Sequence, residues 1–405
     1  MMLLKLALRN IFRNRRRSLL TLLSMSGGYF LLATMLSMSE GSYSHIINLF
    51  TQDHTGHVQV HHSDYLSRPS PYKTIDNLSL LLEQISQQDD VTSASPRIYA
   101  PALAFANDKT FPVQVIGIDP HLEARTTLLA QKVTQGSWLE NSMTGQGLFT
   151  AMIGSSLAKN LHLGVGDELI LISQGIDGSI ANDIFSISAI VGTAESYERN
   201  NVYLSLLGAN EFLSTNNQAH EIAIALENQS QARHFAANID LPPELTAAPW
   251  QKIEESFYKS MQVDKKGNYI SLAVIMFLVS IGVLNTVLMG TMERTREFGV
   301  LKAIGTRSEL VFMLILLESA LLAIASCIVG LLLALLPITY LSRTGLLLPE
   351  PIDIGGVQFQ VMLGEFSAFV LLLPAITVIA STVLVSLFPA YRAATTVPVQ
   401  AMQAT

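Results

Sequence analysis

Four long apolar stretches stand out from the alternation of apolar and polar positions along the chain. They cover residues 18–39, 269–292, 308–342 and 366–391, and their only charged residues are Glu309 and Glu318 in the third. A helix that crosses a membrane needs about 20 mostly apolar residues, because the hydrocarbon core is about 30 Å thick. The pattern predicts four spans, one N-terminal and three C-terminal. The third is longer than a bilayer requires, so we expect a break near Pro337.

Residues 40–268, between spans one and two, show the shorter periods that are typical of a folded domain. Runs rich in β-branched residues predict strands at 57–61, 111–117, 168–172, 184–191 and 201–205. Helical spacing predicts helices at 78–85, 154–161 and 209–213. These elements indicate an inserted α+β domain. We expect helical stalks over 40–50 and 244–261 that continue spans one and two and tie movements of the domain to them, with plain linker helices as the alternative.

Basic residues cluster on one side of the predicted spans. They lie in the segment before span one, in the loop between spans two and three and just after span four, whereas residues 40–268 contain more acids than bases. Basic loops stay cytoplasmic. The predicted cytoplasmic segments are an amphipathic elbow at 1–17, a loop at 293–307 and a tail at 392–405. Residues 40–268 and a short loop at 343–365 are then external.

Composition agrees with a membrane protein and excludes several functions. Of the 405 residues, 49% are hydrophobic and 14% are charged, and the formal net charge is −7; soluble domains have about 25% charged residues. The single cysteine, Cys327 in span three, excludes an intrachain disulfide. The sequence lacks a P-loop, a His-Glu-x-x-His zinc motif, a Cys-x-x-Cys pair and a Gly-x-Ser-x-Gly elbow. We therefore expect a non-catalytic chain without a cofactor, powered by a partner.

Histidines at 54, 57, 61 and 62 invite a metal-site interpretation, since clustered imidazoles bind zinc. Side chains alternate along a strand, so His57 and His61 share one face with Gln59 while His62 lies on the other. This division favours a solvated strand over a metal site. The paired acids Asp89-Asp90 and Glu254-Glu255 are likewise expected to be solvated.

The loop at 293–307 is unusual because it has the pattern of an ordered helix. Mixed charges at its start precede apolar Phe298, Leu301 and Ile304, and Gly305 follows where a helix would stop. We expect Ser308 to be the N-cap of span three, with Glu309 in its first turn. The helix either lies at the lipid headgroups or contacts a partner.

Several segments resemble one family. Residues 293–305 (Glu-Arg-Thr-Arg-Glu-Phe-Gly-Val-Leu-Lys-Ala-Ile-Gly) are similar to the coupling helix of ABC transporter permeases of the MacB, LolC/LolE and FtsX type. Residues 8–20 resemble the elbow of that family, and residues 388–398 resemble its closing Pro-Ala-x-Arg-Ala-Ala motif. Residues 154–171 resemble a recurrent segment of its periplasmic domain. The likeness covers the whole chain.

The resemblance implies a bacterial inner-membrane, multi-pass subunit with cytoplasmic termini and a periplasmic domain. Two permease chains, identical or paralogous, would bind two copies of a separate ATPase that holds ATP and Mg²⁺, and a periplasmic carrier or adaptor is a possible further partner. Energy coupling would fall to the residues of the loop, with Phe298 as the apolar anchor in a groove of the ATPase. They are Glu293, Arg294, Arg296, Glu297, Phe298, Gly299, Lys302 and Gly305.

The substrate implied is a lipoprotein or another lipidic molecule of the inner membrane, since Gly56-His57-Val58-Gln59 is similar to a segment of lipoprotein-releasing permeases. A tripartite efflux permease for small molecules or peptides is one alternative. An FtsX-like regulator of a cell-wall hydrolase, which transports nothing, is another. Neighbouring genes would distinguish the three.

Glu318 is the one carboxylate that the pattern places well inside a span. Burying a charge there costs about 2.5–3.5 kcal/mol on insertion scales, so such a residue usually faces protein or water. The spans contain no second acid or histidine at a similar depth to pass a proton on. We therefore expect Glu318 to pack at a helix interface or near the headgroups.

Overall fold

The computed structural model describes residues 2–13, 15–145, 147–354 and 357–397. Residues Asn14, Gly355, Gly356 and 398–405, which belong to the predicted elbow, external loop and tail, lie outside the described residues. The chain divides into two compact units, which are described separately. One comprises residues 1–45, 260–348 and 361–405, and the other comprises residues 46–259 and 349–360.

The first unit is helical. Its helices are α1 (Met2–Arg13), α2 (Arg15–Phe50, whose end belongs to the second unit), α9 (Glu255–Glu293, which begins in the second unit), α10 (Thr295–Ala303), α11 (Ser308–Arg343) and α12 (Ala368–Thr395). Helices α2, α9, α11 and α12 are long and apolar enough to cross a membrane. Helices α2, α9 and α11 contain the first three predicted spans, and α12 begins two residues after the predicted start of the fourth.

The spanning helices pack around small and aromatic side chains of α2. Tyr29 of α2 is fully buried and donates a hydrogen bond to the Leu371 carbonyl of α12 at 2.9 Å, and Ser26 donates one to the Ser326 carbonyl of α11 at 3.0 Å. Gly330 of α11 allows the approach of Tyr29, because a Cβ there would lie 2.8 Å from the tyrosine ring. Close backbone contact at small residues is the usual way that membrane helices associate.

Two expectations for span three are wrong. Helix α11 continues through Pro337 without a break; Ile338, the next residue, is fully buried in the core between the helices, so packing maintains the helix where one backbone bond is missing. The helix also begins at Ser308 itself. Arg307 occupies the N-cap position with an extended backbone, so Ser308 is not the cap, while Glu309 lies in the first turn as expected.

The second unit is an α+β domain built on a mixed sheet. Its strands are β1 (Val58–His62), β2 (Val91–Ala106), β3 (Lys109–Ile118), β4 (Val133–Gly136), β5 (Phe149–Gly154), β6 (Glu168–Gln174), β7 (Ile180–Val191), β8 (Asn201–Ser205), β9 (Glu221–Leu226) and β10 (Leu245–Pro249). Its helices are α3 (Leu78–Ser86), α4 (Pro120–Thr126), α5 (Ser155–Leu161), α6 (Leu206–Leu213), α7 (Ala232–Asn238) and the single turn α8 (Trp250–Ile253). A two-stranded sheet of β11 (Leu346–Ile354) and β12 (Val357–Met362) lies within the predicted loop at 343–365.

The pairing of the strands closes part of the sheet on itself. β2, β3, β8, β5, β7 and β6 pair in that order, and β6 pairs again with β2. The long β2 makes this possible: Val91–Arg97 pairs with β9, and Leu103–Phe105 pairs with β6. β9, β1 and β10 continue the sheet from the first half of β2. The sequence did not reveal β2, because Pro96 and Pro101 interrupt its pattern.

The structure confirms the five predicted strands and corrects two other expectations. β1 lies between β10 and β9, and His57, Gln59 and His61 are buried, so the expectation of a solvated strand is wrong. The segment 244–261 is not one helix. Residues Leu245–Pro249 form a strand, and Glu254 interrupts the helix with a non-helical backbone, so α9 begins at Glu255.

Candidate functional site

Helix α10 is a short, well-delimited helix between spans two and three. After Gly305, which has a φ of +103°, the chain cannot continue the helix. The Gly305 N–H donates to the Lys302 carbonyl at 3.0 Å, and the Thr306 N–H donates to the Leu301 carbonyl at 3.1 Å. This pair of bonds is a Schellman motif, which explains why the helix ends where the sequence predicted.

One face of α10 is buried in the first unit. Phe298 is 2% exposed and packs with Val311 and Ile315 of α11 and with Ala390 and Ala393 of α12. Gly299 beside it is also buried. The predicted role of Phe298 as an anchor in the groove of another protein does not fit this burial. Instead, Phe298 fixes α10 to the ends of spans three and four.

A buried ion pair joins α10 to the interior of span three. Nη1 of Arg294 lies 2.9 Å from Oε2 of Glu318, and both side chains are less than a tenth exposed. Arg17 of α2 approaches the same carboxylate at 3.8 Å and lies 3.4 Å from Glu293. A buried carboxylate needs such partners. The structure thus places Glu318 at a helix interface and turns Arg294 inward.

Glu297 connects α10 to the elbow. It accepts a hydrogen bond from Arg13 of α1 and lies 3.2 Å from Nε of Arg294. Partial burial opposes its ionisation, but the bonds to the two arginines outweigh it, so the pKa of Glu297 is below its usual value. The carboxylate therefore stays charged at neutral pH.

Lys302 holds the end of span four. Its Nζ donates to the Ala394 carbonyl at 2.7 Å and to the Thr396 carbonyl at 2.8 Å. The last carbonyls of a helix lack partners within the helix and carry partial negative charge, so a lysine there stabilises the end. Phe298, Arg294 and Lys302 together attach α10 to α11 and α12.

The opposite face of α10 is exposed. It carries three apolar side chains, Val300 (42% exposed), Leu301 (39%) and Ile304 (80%), beside the exposed Arg296. We call these four residues the outer face of α10. Of the residues that the sequence singled out, Glu293, Arg296, Glu297 and Gly305 are on the surface.

Comparisons with known proteins agree with this architecture. The family model for the MacB-like periplasmic core domain matches residues 18–240, and the model for the FtsX-like permease C-terminal region matches residues 269–398. The first match alone covers more than half of the chain. The chain belongs to the MacB/LolC/LolE family of ABC transporter permeases.

Three relatives show how far the similarity extends. The permease is 22% identical to the lipoprotein-releasing system transmembrane protein LolE of Haemophilus influenzae, over 85% of each chain. It is 21% identical to LolC of Xylella fastidiosa, over 77% of this chain and 78% of that one. It is also 21% identical to the macrolide export ATP-binding/permease protein MacB of Sodalis glossinidius, over 98% of this chain and 60% of that one.

The sequence missed Arg13, Arg17 and Ile304 as parts of this site. A signal for the arginines exists: one carboxylate in span three requires a cation, and the basic elbow is the segment that supplies cations beside span one. The sequence contains no comparable signal for Ile304, because periodicity alone does not show which face of a short helix is buried.

Clustered histidines do not form a metal site in the part of the permease that the structure describes, where no group of three potential ligands comes together. His57 instead accepts a hydrogen bond from the Leu226 N–H at 2.8 Å, and Nδ1 of His61 lies 3.0 Å from the His62 carbonyl. Their burial lowers the pKa of both imidazoles.

Proposed function

We propose that the permease couples ATP hydrolysis by a separate ATPase subunit to a conformational change of its inserted domain. In this proposal two permease chains bind two ATPase copies, which hold ATP and Mg²⁺, and the outer face of α10 is the docking surface. The basic elbow and loop support an orientation with the termini and α10 in the cytoplasm and the inserted domain in the periplasm.

The observation that carries the proposal is the two-sided character of α10. Val300 and Leu301 of this nine-residue helix and Ile304, the residue that follows it, are left exposed, although the same helix buries Phe298 fully. A large exposed apolar patch rimmed by charge is typical of a protein interface. Interface energy concentrates in a few central side chains, so Ile304 is expected to be one of them.

The buried side of α10 gives the docking surface a mechanical connection. A displacement of the outer face acts on α11 through Phe298 and Arg294, on α12 through Lys302 and on the elbow through Glu297. Because close-packed contacts of this kind are poorly compressible, α10 moves the ends of the spans with it. This arrangement supports coupling through α10.

We test the docking surface with Ile304→Asp, which puts a charge in the centre of the patch. We expect the variant to insert normally but to lose co-purification with its ATPase subunit, together with the ATPase activity of the complex. Ile180→Asp is the matched control, since Ile180 of β7 is 84% exposed in the other unit. If Ile304→Asp still binds the ATPase as the wild type does, the outer face is not the docking surface.

We propose a lipoprotein or another lipidic molecule as the substrate. The full-length similarity to proteins named as parts of lipoprotein-releasing systems supports this class. A cavity of about 320 Å³ between α2, α9 and α12 also supports it, since its walls are mostly apolar and include Leu36, Leu272, Met276 and Pro374. Such a cavity can accommodate an acyl chain.

The substrate test uses two methionines of α9. Met276 lines the cavity, whereas Met289 is 63% exposed on the same helix. We expect Met276→Trp to reduce the amount of co-purified lipid or lipoprotein seen by native mass spectrometry, because the indole fills the cavity, and Met289→Trp to leave it unchanged. Recovery of a hydrophilic small molecule or peptide, with no acylated species, would instead support an efflux permease.

A further inference from the structure

A cavity of about 280 Å³ lies in the inserted domain. It is slightly smaller than the pockets of drug-sized ligands, which measure about 300–1,000 Å³. It adjoins one face of β1, β9, β2 and β3, the face that carries Gln59, Glu221, Arg97 and Ile116. Neither the family assignment nor the proposed coupling gives this cavity a role.

Arg97, the arginine of the cavity, already bonds to carboxylates of the domain itself. Its Nη2 and Nε bond to the two carboxylate oxygens of Glu123 at 2.7 and 3.2 Å, and Nη1 bonds to Glu221 at 3.1 Å and to the His54 carbonyl. Ser95 and Thr127 donate further bonds to Glu123 at 2.6 and 2.9 Å. A bidentate arginine of this kind is not available to bind an anionic ligand.

Glu221 is the buried carboxylate of the cavity that has an oxygen available for a ligand. It is 6% exposed, and both of its hydrogen bonds, from Arg97 and from the Tyr99 hydroxyl at 3.4 Å, reach the same oxygen, Oε1. Among the described side chains, no hydrogen bond is found to Oε2. Burial raises the pKa of Glu221 to about 7 even though Arg97 opposes the shift. Oε2 can therefore accept a bond from a donor or cation that enters the cavity.

The walls carry more negative than positive charge. The lining includes four carboxylates, Asp53, Glu123, Glu221 and Glu254, beside Arg97 and His54. Lys132, from outside the lining, pairs with Asp53, and Arg97 pairs with Glu123, which leaves Glu221 and Glu254 as the excess of negative charge. His54 stays close to two of these acids, with Nδ1 3.5 Å from Asp53 and Nε2 3.9 Å from Glu254. The side chain of Glu254 is about a third exposed and has no closer cation among the described residues. The excess of acids favours a cationic ligand.

Aromatic rings complete the cavity. Tyr65, Tyr99, Tyr197 and Tyr203 all line it, with apolar Ile116 and Leu129 nearby. The face of a tyrosine ring attracts a cation by about 0.5–2 kcal/mol, most strongly where water is excluded. Rings beside carboxylates are the combination by which proteins recognise organic ammonium groups.

We propose that this cavity binds a small organic cation, an amine or quaternary ammonium compound, whose charged group pairs with Glu221 and Glu254 and whose apolar body packs on the tyrosine rings. An inorganic cation could pair with the carboxylates but would not use the apolar contact area that the four tyrosine rings offer. The site is independent of the docking surface on α10.

The first test compares benzylammonium with benzyl alcohol, its neutral counterpart, by calorimetric titration of the full chain in lipid nanodiscs. We expect only the ammonium compound to bind. Its affinity should fall about tenfold from about pH 8 to about pH 6, because a group with a pKa of about 7 must then be deprotonated to receive the cation. Equal binding of the alcohol, or no binding of either compound, would overturn the proposal.

Between about pH 8 and about pH 6, the other ionisable groups around Glu221 either keep their charge or change it in the direction that weakens cation binding. They are Arg97 and Tyr99 on β2, Glu123 on α4, His61 on β1, His54, Tyr65 and Tyr197. His54, whose burial is outweighed by its two acidic neighbours, has a raised pKa and gains charge on acidification. That charge also repels a cation.

The second test uses substitutions. Glu221→Gln should abolish binding of benzylammonium and Glu254→Gln should weaken it severalfold, whereas Glu255→Gln, an exposed neighbour paired with Lys259, should have no effect. Unchanged affinity in both cavity variants would show that the cation binds elsewhere. If Glu221→Gln does not fold, Glu254→Gln and the pH dependence of the wild type decide the question.

Discussion

Glu318 illustrates how single residues of this permease acquire their roles from distant partners. Its carboxylate receives Arg294 from the loop helix and Arg17 from span one, and all three groups are largely buried. Pairs of this kind add little stability in total, because desolvation offsets attraction, but removing one partner leaves an uncompensated charge.

We predict that Glu318→Leu lowers the free energy of unfolding by about 3–5 kcal/mol, because Arg294 loses its buried partner. Thermal unfolding of the detergent-solubilised chain measures the effect. The double variant Glu318→Leu/Arg294→Met should recover much of the loss, and the exposed Glu309→Gln should cause none. If Glu318→Leu were as stable as the wild type, the ion pair would make no contribution to the free energy of unfolding.

At the scale of elements, the contact between spans one and three depends on a residue without a side chain. A Cβ on Gly330 would lie 2.8 Å from the Tyr29 ring and 3.0 Å from the Ser26 carbonyl. Tyr29 cannot turn away without losing its bond to Leu371 of span four. The three helices therefore meet at this glycine.

We expect Gly330→Val to destabilise the helical unit by about 1–3 kcal/mol, the usual cost of overpacking. Gly267→Val is the control, because nothing lies within 4 Å of a Cβ at that position. Resistance to unfolding in a graded series of detergent mixtures distinguishes the two. Equal behaviour of both variants would refute the importance of the contact.

On the scale of the whole molecule, buried ionisable groups of the inserted domain make its stability depend on pH in opposing ways. Glu221 has a folded-state pKa of about 7 against 4.5 in an exposed chain, so its contribution to stability falls as the pH rises between these values. The buried histidines His57, His61 and His220 have lowered pKa values and act in the opposite direction. A comparison of variants separates these effects.

We predict that Glu221→Gln gains stability relative to the wild type by about 3 kcal/mol at most as the pH rises from about 4.5 to about 7. Urea unfolding followed by tryptophan fluorescence reports on this domain alone, because Trp138 and Trp250, the two tryptophans of the chain, both belong to it. A stability difference that does not change with pH would contradict the raised pKa of Glu221.

The sequence by itself determined the features that depend on local composition. A span needs a long apolar run and a helix end needs a residue such as Gly305, so the four spans, five strands and the ordered loop could be predicted from the chain. The strand β2 escaped prediction, because its prolines break the local pattern while remote strands supply its pairing.

Only the tertiary structure decided which side of each element faces inward. Phe298 and Ile304 are equally apolar in the sequence, but contacts with α11 and α12 bury the first and leave the second 80% exposed. β1 pairs along both edges with β9 and β10, more than 150 residues away, and four of its five residues are buried in the domain they form. Burial depends on neighbours that are distant in the chain, and the cavity around Glu221 exists only where those neighbours meet.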